Sequence, residues 1–332
     1  MFLKINFKYT LLIVAFVFFE CGCKSVTKNE NQTTKSDSTS TQNSSLKNTT
    51  NGHIVTLTDL YHDFVNLATT IKSHNLSDDY YDKAVKALKS KNYTNAFNYL
   101  TSAIQVDSNN SGAYCFRAII RTFLKNSEAD SKAILSDFNM ALKLNPKFIL
   151  GYHYISYYKW NYMHDSIGAL KDETIAVDLD TTNVRTLNQR FVMRREMHDY
   201  KGAIEDIDAI IRLNPNSSNY RYRGIVKGFM HNYAGAIIDY SKAIELNKQD
   251  TASYYNRALV EAVLQDYSKA MLDFSKAIEN DPNMGLAYMY RGEVQVLIGK
   301  KDKGCEDLYK AQELGVQKAA AEISKFNCSL NK

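Results

Sequence analysis

One short pattern returns about every 34 residues, and it decides what this chain of 332 residues can be. Its last three copies read Tyr220, Arg223, Gly224, Ala236, Asp239, Ala243, then Tyr254, Arg257, Ala258, Ala270, Asp273, Ala277, then Tyr288, Arg291, Gly292, Gly304, Asp307, Ala311. A unit this short cannot bury an apolar face alone, so neighbouring copies must stack and share a core. Length then counts repeats rather than globular domains. Only three prolines interrupt stretches rich in Ala, Leu, Lys and Tyr, which fits helices and offers no strand pattern.

The spacing resembles the tetratricopeptide repeat, whose unit is a helix, a turn and a second helix. The resemblance implies an all-α, right-handed α-solenoid of about seven units closed by a C-terminal capping helix. It also implies a surface for protein or peptide partners rather than a catalytic site. Starts at Ser77, Ser111, Leu150, Val184, Ser217, Thr251 and Gly285 place the repeats over 77–318, with extra residues in the second unit around Lys125–Asp130. Calling the two helices of a unit A and B, position 8 of helix A holds Ala84, Ala118, Gly224, Ala258 and Gly292. Position 20 of helix B answers with Ala96, Ala169, Ala203, Ala236, Ala270 and Gly304. Small residues at both places let the two backbones approach, and larger ones at position 24, such as Phe138, Tyr240 and Phe274, fill the remaining volume. Pro146, Pro215 and Pro282 stop three B helices.

Position 7 carries Arg117, Arg190, Arg223, Arg257 and Arg291, and position 23 carries Asp137, Asp172, Asp206, Asp239, Asp273 and Asp307. An arginine that always arrives with its own carboxylate reads as a structural pair, within a repeat or to a neighbour, rather than as a ladder for an acidic ligand.

Ahead of the repeats, Lys4 and Lys8 precede the apolar run Tyr9–Phe19 and then Glu20-Cys21-Gly22-Cys23. This is the layout of an export signal over 1–22, too short in its apolar core to span a bilayer comfortably. Its end resembles a bacterial lipoprotein signal, in which a small residue precedes the lipidated cysteine. That implies lipid attachment at Cys23, export, and a chain anchored to a membrane of the cell envelope. Glu20 departs from the apolar residue usual in that motif, which leaves a plain cleaved signal or an uncleaved anchor open. Residues 23–52 are rich in Ser, Thr and Asn and too polar to offset their ordering entropy, so they read as a tether. Residues 53–76 place Leu60, Phe64, Leu67 and Ile71 at helical spacing, as an N-terminal capping helix, and 316–332 supply the closing helix and tail.

Chemistry finds little footing. No phosphate loop, zinc helix or nucleophile elbow occurs, so no catalytic residue and no cofactor is assigned. His164, His198 and His231 recur nearly one repeat apart, each in the turn between A and B. Stacked helices lie about 8–10 Å apart while zinc holds nitrogens at about 2.0–2.1 Å, so these turns cannot converge on one metal ion. The formal charge of +5 is spread in alternating signs and gives no nucleic-acid footprint. An oxidising compartment would suit a disulfide between Cys305 and Cys328, the alternative being two buried thiols, and Cys115 reads as a small apolar residue.

In repeats of this family the concave groove is lined by helix A, mainly at positions 2, 5, 9 and 12. Carried onto this chain, the groove set is Tyr81, Tyr154, Tyr158, Asn161, Asn188, Arg221, Tyr255 and Met289. The Lys and Asn set with which some members hold chaperone tails is absent. Repeat 3 departs most: its Leu150 start puts Tyr157 at the small position and Glu173 at the apolar position 24. Its tyrosines either meet a partner or repack a distorted unit. The leading expectation is an envelope-tethered adaptor for a protein or peptide, and the alternative is an assembly factor binding glycan or peptidoglycan through aromatic rings.

Overall fold

The computed structural model describes residues 76–124 and 128–329, and among them every regular element is helical. The signal, Cys23, the tether and the N-terminal cap fall on residues 1–75, outside the described residues. The described chain forms two compact units, residues 76–198 and 199–329.

The first unit holds α1 (Leu76–Lys89), α2 (Tyr93–Val106), α3 (Ser111–Leu124), α4 (Glu128–Leu144), α5 (Ile149–Tyr158) with a π-helical turn at Lys159–Met163, α6 (Ser166–Leu179) and α7 (Val184–Glu196). Its core gathers Leu100, Phe116, Ile120, Phe138 and Tyr154. The second unit holds α8 (Tyr200–Leu213), α9 (Ser217–Phe229), α10 (Tyr233–Leu246), α11 (Thr251–Val263), α12 (Tyr267–Asn280), α13 (Gly285–Leu297), α14 (Lys301–Glu313) and α15 (Gln317–Lys325). Tyr240, Tyr255, Leu259, Phe274 and Leu308 fill its core. Helices α4, α8 and α12 end at Leu144, Leu213 and Asn280, just ahead of Pro146, Pro215 and Pro282.

Six A-to-B turns among the described residues use the same local chemistry. One residue adopts the left-handed conformation, and this is the place of Lys91, His164, His198, His231, Gln265 and Gly299. The next residue often caps helix B, as Asn92, Asp165, Asn232 and Asp266 do by accepting the N–H of Asn95, Gly168, Gly235 and Lys269. Wrapping of the last helix-A carbonyls closes the turn, for example Asn232 N–H to Lys227 O at 2.9 Å and Asp266 N–H to Glu261 O at 2.9 Å. The recurring histidines therefore mark a backbone conformation, which Gly299 adopts without strain.

The two helices of a hairpin touch where the side chains vanish. A Cβ added to Gly292 would lie 2.7 Å from the carbonyl oxygen of Gly304, and one added to Gly224 would lie 2.7 Å from the Tyr240 ring. Tyr240 is the largest occupant of its place, which is why the residue opposite has no side chain at all.

The arginine–aspartate pairs join A to B inside repeats 2, 5, 6 and 7. Arg117 meets Asp137 at 2.9 and 2.6 Å, Arg223 meets Asp239 at 3.0 and 2.6 Å, Arg257 meets Asp273 at 2.6 and 2.9 Å, and Arg291 meets Asp307 at 2.7 and 2.8 Å. The remaining guanidinium nitrogen reaches the preceding B helix, donating to Asp208 from Arg223, to Ser241 from Arg257 and to Ser275 from Arg291. Each arginine also lies over the tyrosine one turn earlier, 5.3 to 5.9 Å from the rings of Tyr220, Tyr254 and Tyr288. One side chain thus fixes its own hairpin and docks it on the previous one. The Asp307 hydrogen bonds hold the Arg291 guanidinium above its ordinary pKa.

At the C-terminal end, Ala319 and Glu322 of α15 are buried, and Cys305 is joined to Cys328 with Cα atoms 5.5 Å apart. Closing a loop of that span contributes about 3 kcal/mol in the chain-entropy account. The Tyr309 hydroxyl adds a bond to the Cys328 carbonyl at 3.2 Å.

Replacing Arg291 by Ala leaves Asp307 half-satisfied and removes the link to Ser275, so unfolding free energy should fall by about 2–3 kcal/mol. Chemical denaturation measures it, and a loss below about 0.5 kcal/mol would remove the clamp from the fold's account.

Candidate functional site

The inner-face residues of the A helices do not form an open groove lining. Tyr81, Tyr154, Tyr158, Arg221, Tyr255 and Met289 are all buried, while Asn161 and Asn188 are half-buried. This corrects the expectation for the first six. The reason is size: a ring at position 5 reaches past its own helix into the space between repeats. Tyr255 meets Phe274 and Tyr290 with centroids 6.0 and 6.2 Å apart, and Tyr81 lies edge-on to Phe116 at 6.0 Å. Tyr154 meets Phe116 at 6.3 Å and Tyr158 meets Phe138 at 6.2 Å.

Arg221 is spent on architecture too. Its Nε donates to Asp250 at 3.3 Å and its Nη2 to the Ser218 hydroxyl at 3.4 Å. Asp250 also accepts the Ser217 hydroxyl and caps α11 through the Ser253 N–H. The arginine therefore stitches α9 to the start of the next A helix.

Repeat 3 runs in a different register from the one a Leu150 start gives. Ser156, not Tyr157, occupies the small position, fully buried with its hydroxyl donating to the Ala169 carbonyl at 2.9 Å. The extra residue is absorbed by the π-turn at Lys159–Met163, which ends at His164 in the left-handed conformation. The signal was present in the sequence. Seven positions separate Gly224 from His231, Ala258 from Gln265 and Gly292 from Gly299, whereas eight separate Ser156 from His164. The π-turn lets the two halves of the repeat keep their own registers.

That shift changes which residues meet. Ile155 takes the arginine's place, and Lys159 reaches Asp172 at 2.6 Å instead. His153 Nδ1 lies 2.9 Å from Glu173 Oε1, both side chains buried, at the place where Tyr255 meets Phe274 in repeat 6. Glu173 thus sits at position 24 as a polar pair with His153 rather than as a lone departure.

What repeat 3 leaves open lies at the end of α5. Tyr162 is 45% exposed and Met163 40% exposed, with Trp160 half-buried beside them. Tyr162 is held rather than loose: its ring stacks on Tyr158 at 5.4 Å and meets Tyr157 at 6.4 Å, and Asn161 Nδ2 donates to the Tyr157 carbonyl at 3.0 Å. Burial, with the neighbouring Tyr162 phenol second, pushes the Tyr157 phenol up to about 12.

Among the described residues no three His, Cys, Asp or Glu side chains gather as metal ligands, and no helix is long and apolar enough to cross a membrane. Three glutamates, Glu173, Glu261 and Glu293, are buried with a carboxylate oxygen that has no hydrogen-bond partner. Glu293 on α13 is 5% exposed and has an oxygen without a hydrogen-bond partner. Desolvation first, and then Glu322, raises it to about 7 against the opposing pull of Lys318 and Lys325.

The comparisons agree with this architecture. Residues 251–284 match the family model described as tetratricopeptide repeat. No curated protein matches the sequence. Among solved structures, the C-terminal part of a repeat-containing protein from Cytophaga hutchinsonii is 20% identical, covering 72% of this chain and 97% of that one with a TM-score of 0.59. MamA is 24% identical over 50% of this chain and 97% of its own, with a TM-score of 0.46. YrrB, described as a tetratricopeptide repeat protein with an unusual peptide-binding site, is 20% identical over 57% of this chain and 97% of its own, also at 0.46.

Because Glu293 has a folded-state pKa above its unfolded value, its folded state favours the proton. Stability from this group is complete below about 4.5 and is lost as pH rises through about 7. Glu293→Gln should therefore raise Tm more at pH 8 than at pH 5, by up to about 3 kcal/mol of stability. Equal effects at the two pH values in thermal melts would show that Glu293 is ionised without cost. The fold itself is that of a tetratricopeptide repeat array, with its helix pairs stacked within each of two units and a capping helix at the C-terminal end.

Proposed function

We propose that this chain is a non-catalytic scaffold that captures a protein partner, exported and held at a bacterial cell envelope by a lipid on Cys23. One observation carries the binding half of the reading. The residues that recur from repeat to repeat are used up in pairing helices, while the π-turn of repeat 3 fixes Tyr162 and Met163 in an exposed position next to Trp160. A rigid aromatic ring with a polar tip offers large contact area at little entropic cost, and π-turns inside helices are frequent at functional sites. The envelope half rests on the sequence of residues 1–52: a basic start, an apolar run, Gly22-Cys23 and a polar tether.

Tyr162→Ala should leave unfolding free energy within about 0.5 kcal/mol of the parent, since the ring is at the surface, yet weaken partner capture at least about tenfold. Quantitative crosslinking from intact envelopes, with purified peptidoglycan as a second bait, reads the capture. Undiminished protein capture would overturn the site, and retention by peptidoglycan alone would replace the protein partner with a glycan.

Cys23→Ser should move the full-length protein from the membrane fraction to the soluble fraction and abolish labelling by a radioactive fatty acid. Persistent membrane partition without label would point to an uncleaved anchor.

A further inference from the structure

In the second unit, helix-A position 11 faces the clamped aspartate of the same repeat and carries a donor. Lys227 Nζ lies 2.7 Å from Asp239, and Gln295 Nε2 donates to Asp307 at 3.2 Å. In the first unit Lys159 plays the same part for Asp172. Repeat 6 breaks this rule by placing Glu261 against Asp273, acid facing acid.

Glu261 is 5% exposed, and its Oε2 is buried with no hydrogen-bond partner. It lines a cavity of about 600 Å³ shared by α10, α11 and α12. Around it the charges nearly cancel: Arg257 is bonded twice to Asp273, and Lys269 is paired with Asp266 at 2.6 Å. One negative charge is left over, on Glu261. Ile237, Leu264 and Leu272 form an apolar lining on the same cavity, with Leu264 and Leu272 exposed.

We propose that this cavity binds a basic side chain, lysine or arginine, of a partner protein, its charged head on Glu261 and Asp273 and its methylene stem along Ile237, Leu264 and Leu272. The incoming cation takes the place that Lys227 fills from within in repeat 5. A single charge balances the site, and a stem of methylene groups matches the lining. A divalent metal ion fits poorly, because of the three carboxylates lining the space Arg257 already holds Asp273 and Lys269 already holds Asp266. Empty, the site leaves Glu261 raised to about 7 by burial first and by Asp273 second, with Asp266 adding to the rise and Arg257 and Lys269 opposing it. On α10 the cavity contributes Ser241 and Ile237, neither charged at neutral pH.

This rests on the scaffold reading only in taking the ligand to be a protein, and a short peptide tests it without the unidentified partner. The full-length protein is titrated with acetyl-Ala-Lys-Ala amide and with the same peptide carrying Nε-acetyl-lysine, followed in NMR by the methyl signals of Leu264 and Leu272, which the Glu261 variants retain. The charged peptide should bind about tenfold more tightly, and that preference should fade as pH drops below about 7, where a proton competes for Glu261. Glu261→Gln should bind both peptides alike, and Glu261→Lys should bind neither while being at least as stable as the parent. Equal binding of the two peptides, no binding of either, or a charge preference that survives Glu261→Gln would overturn the assignment. Putrescine binding without peptide binding would overturn the protein side chain as the ligand. Tyr162→Ala should leave the peptide preference intact, so failure at the π-turn and failure at this cavity are read separately.

Discussion

In repeats 1, 5, 6 and 7 the hairpin depends on two helix backbones meeting without side chains between them. Glycine or alanine at positions 8 and 20 brings A and B close enough that Gly292 and Gly304 nearly touch. At that distance the position-7 arginine spans to the position-23 aspartate with two bonds and still has a nitrogen left for the preceding helix. Close packing comes first and the ion pair second, since a bidentate pair of this kind repays its desolvation only when its geometry is fixed. The tyrosine over each guanidinium completes the arrangement by covering the face that would otherwise be hydrated.

Repeat 3 shows what happens when that order is disturbed by one residue. Ser156 keeps the close approach, so the hairpin survives, but the arginine place falls to Ile155 and the clamp is rebuilt from Lys159. The extra residue cannot be removed from a helix whose two ends are both committed, one at Ser156 and the other at His164. It bulges as a π-turn instead, and the bulge is what turns Tyr162 and Met163 outward. The buried His153 and Glu173 pair is a further departure, a polar contact where repeats 1, 6 and 7 set Tyr81, Tyr255 and Met289 beside Leu100, Phe274 and Leu308.

The fold was legible because it is written many times over. Residues such as Arg257, Asp273 and Ala258 repeat at fixed spacing, so period alone places them on facing helices. The candidate site was legible only in part. Assigning Tyr154, Tyr255 and Arg221 to a groove followed the family's geometry, which fixes which way a Cα points but not how far a large side chain travels. Tyr255 travels into the core between Phe274 and Tyr290. Residues 156–164 did contain the register shift, in the eight positions from Ser156 to His164, but a fixed repeat start at Leu150 hid it. The Glu261 departure was equally visible as a letter and invisible as a site. Its meaning needs Asp273 opposite it and an open cavity beside it.

In a repeat protein, function is therefore best sought where one copy contradicts the rest. A residue shared by all copies answers a demand shared by all copies, and that demand is stacking. Glu261 cannot be explained this way, because the donor that Lys227 and Gln295 supply at its position would satisfy Asp273 and stabilise the hairpin. A carboxylate there leaves a buried acid without a partner, a cost that stacking alone gives no reason to keep. Tyr162 poses the same question in weaker form, since an exposed ring costs little. Of the two departures, the buried one makes the stronger demand for a ligand, because only a cation arriving from outside would supply what the other repeats carry within themselves.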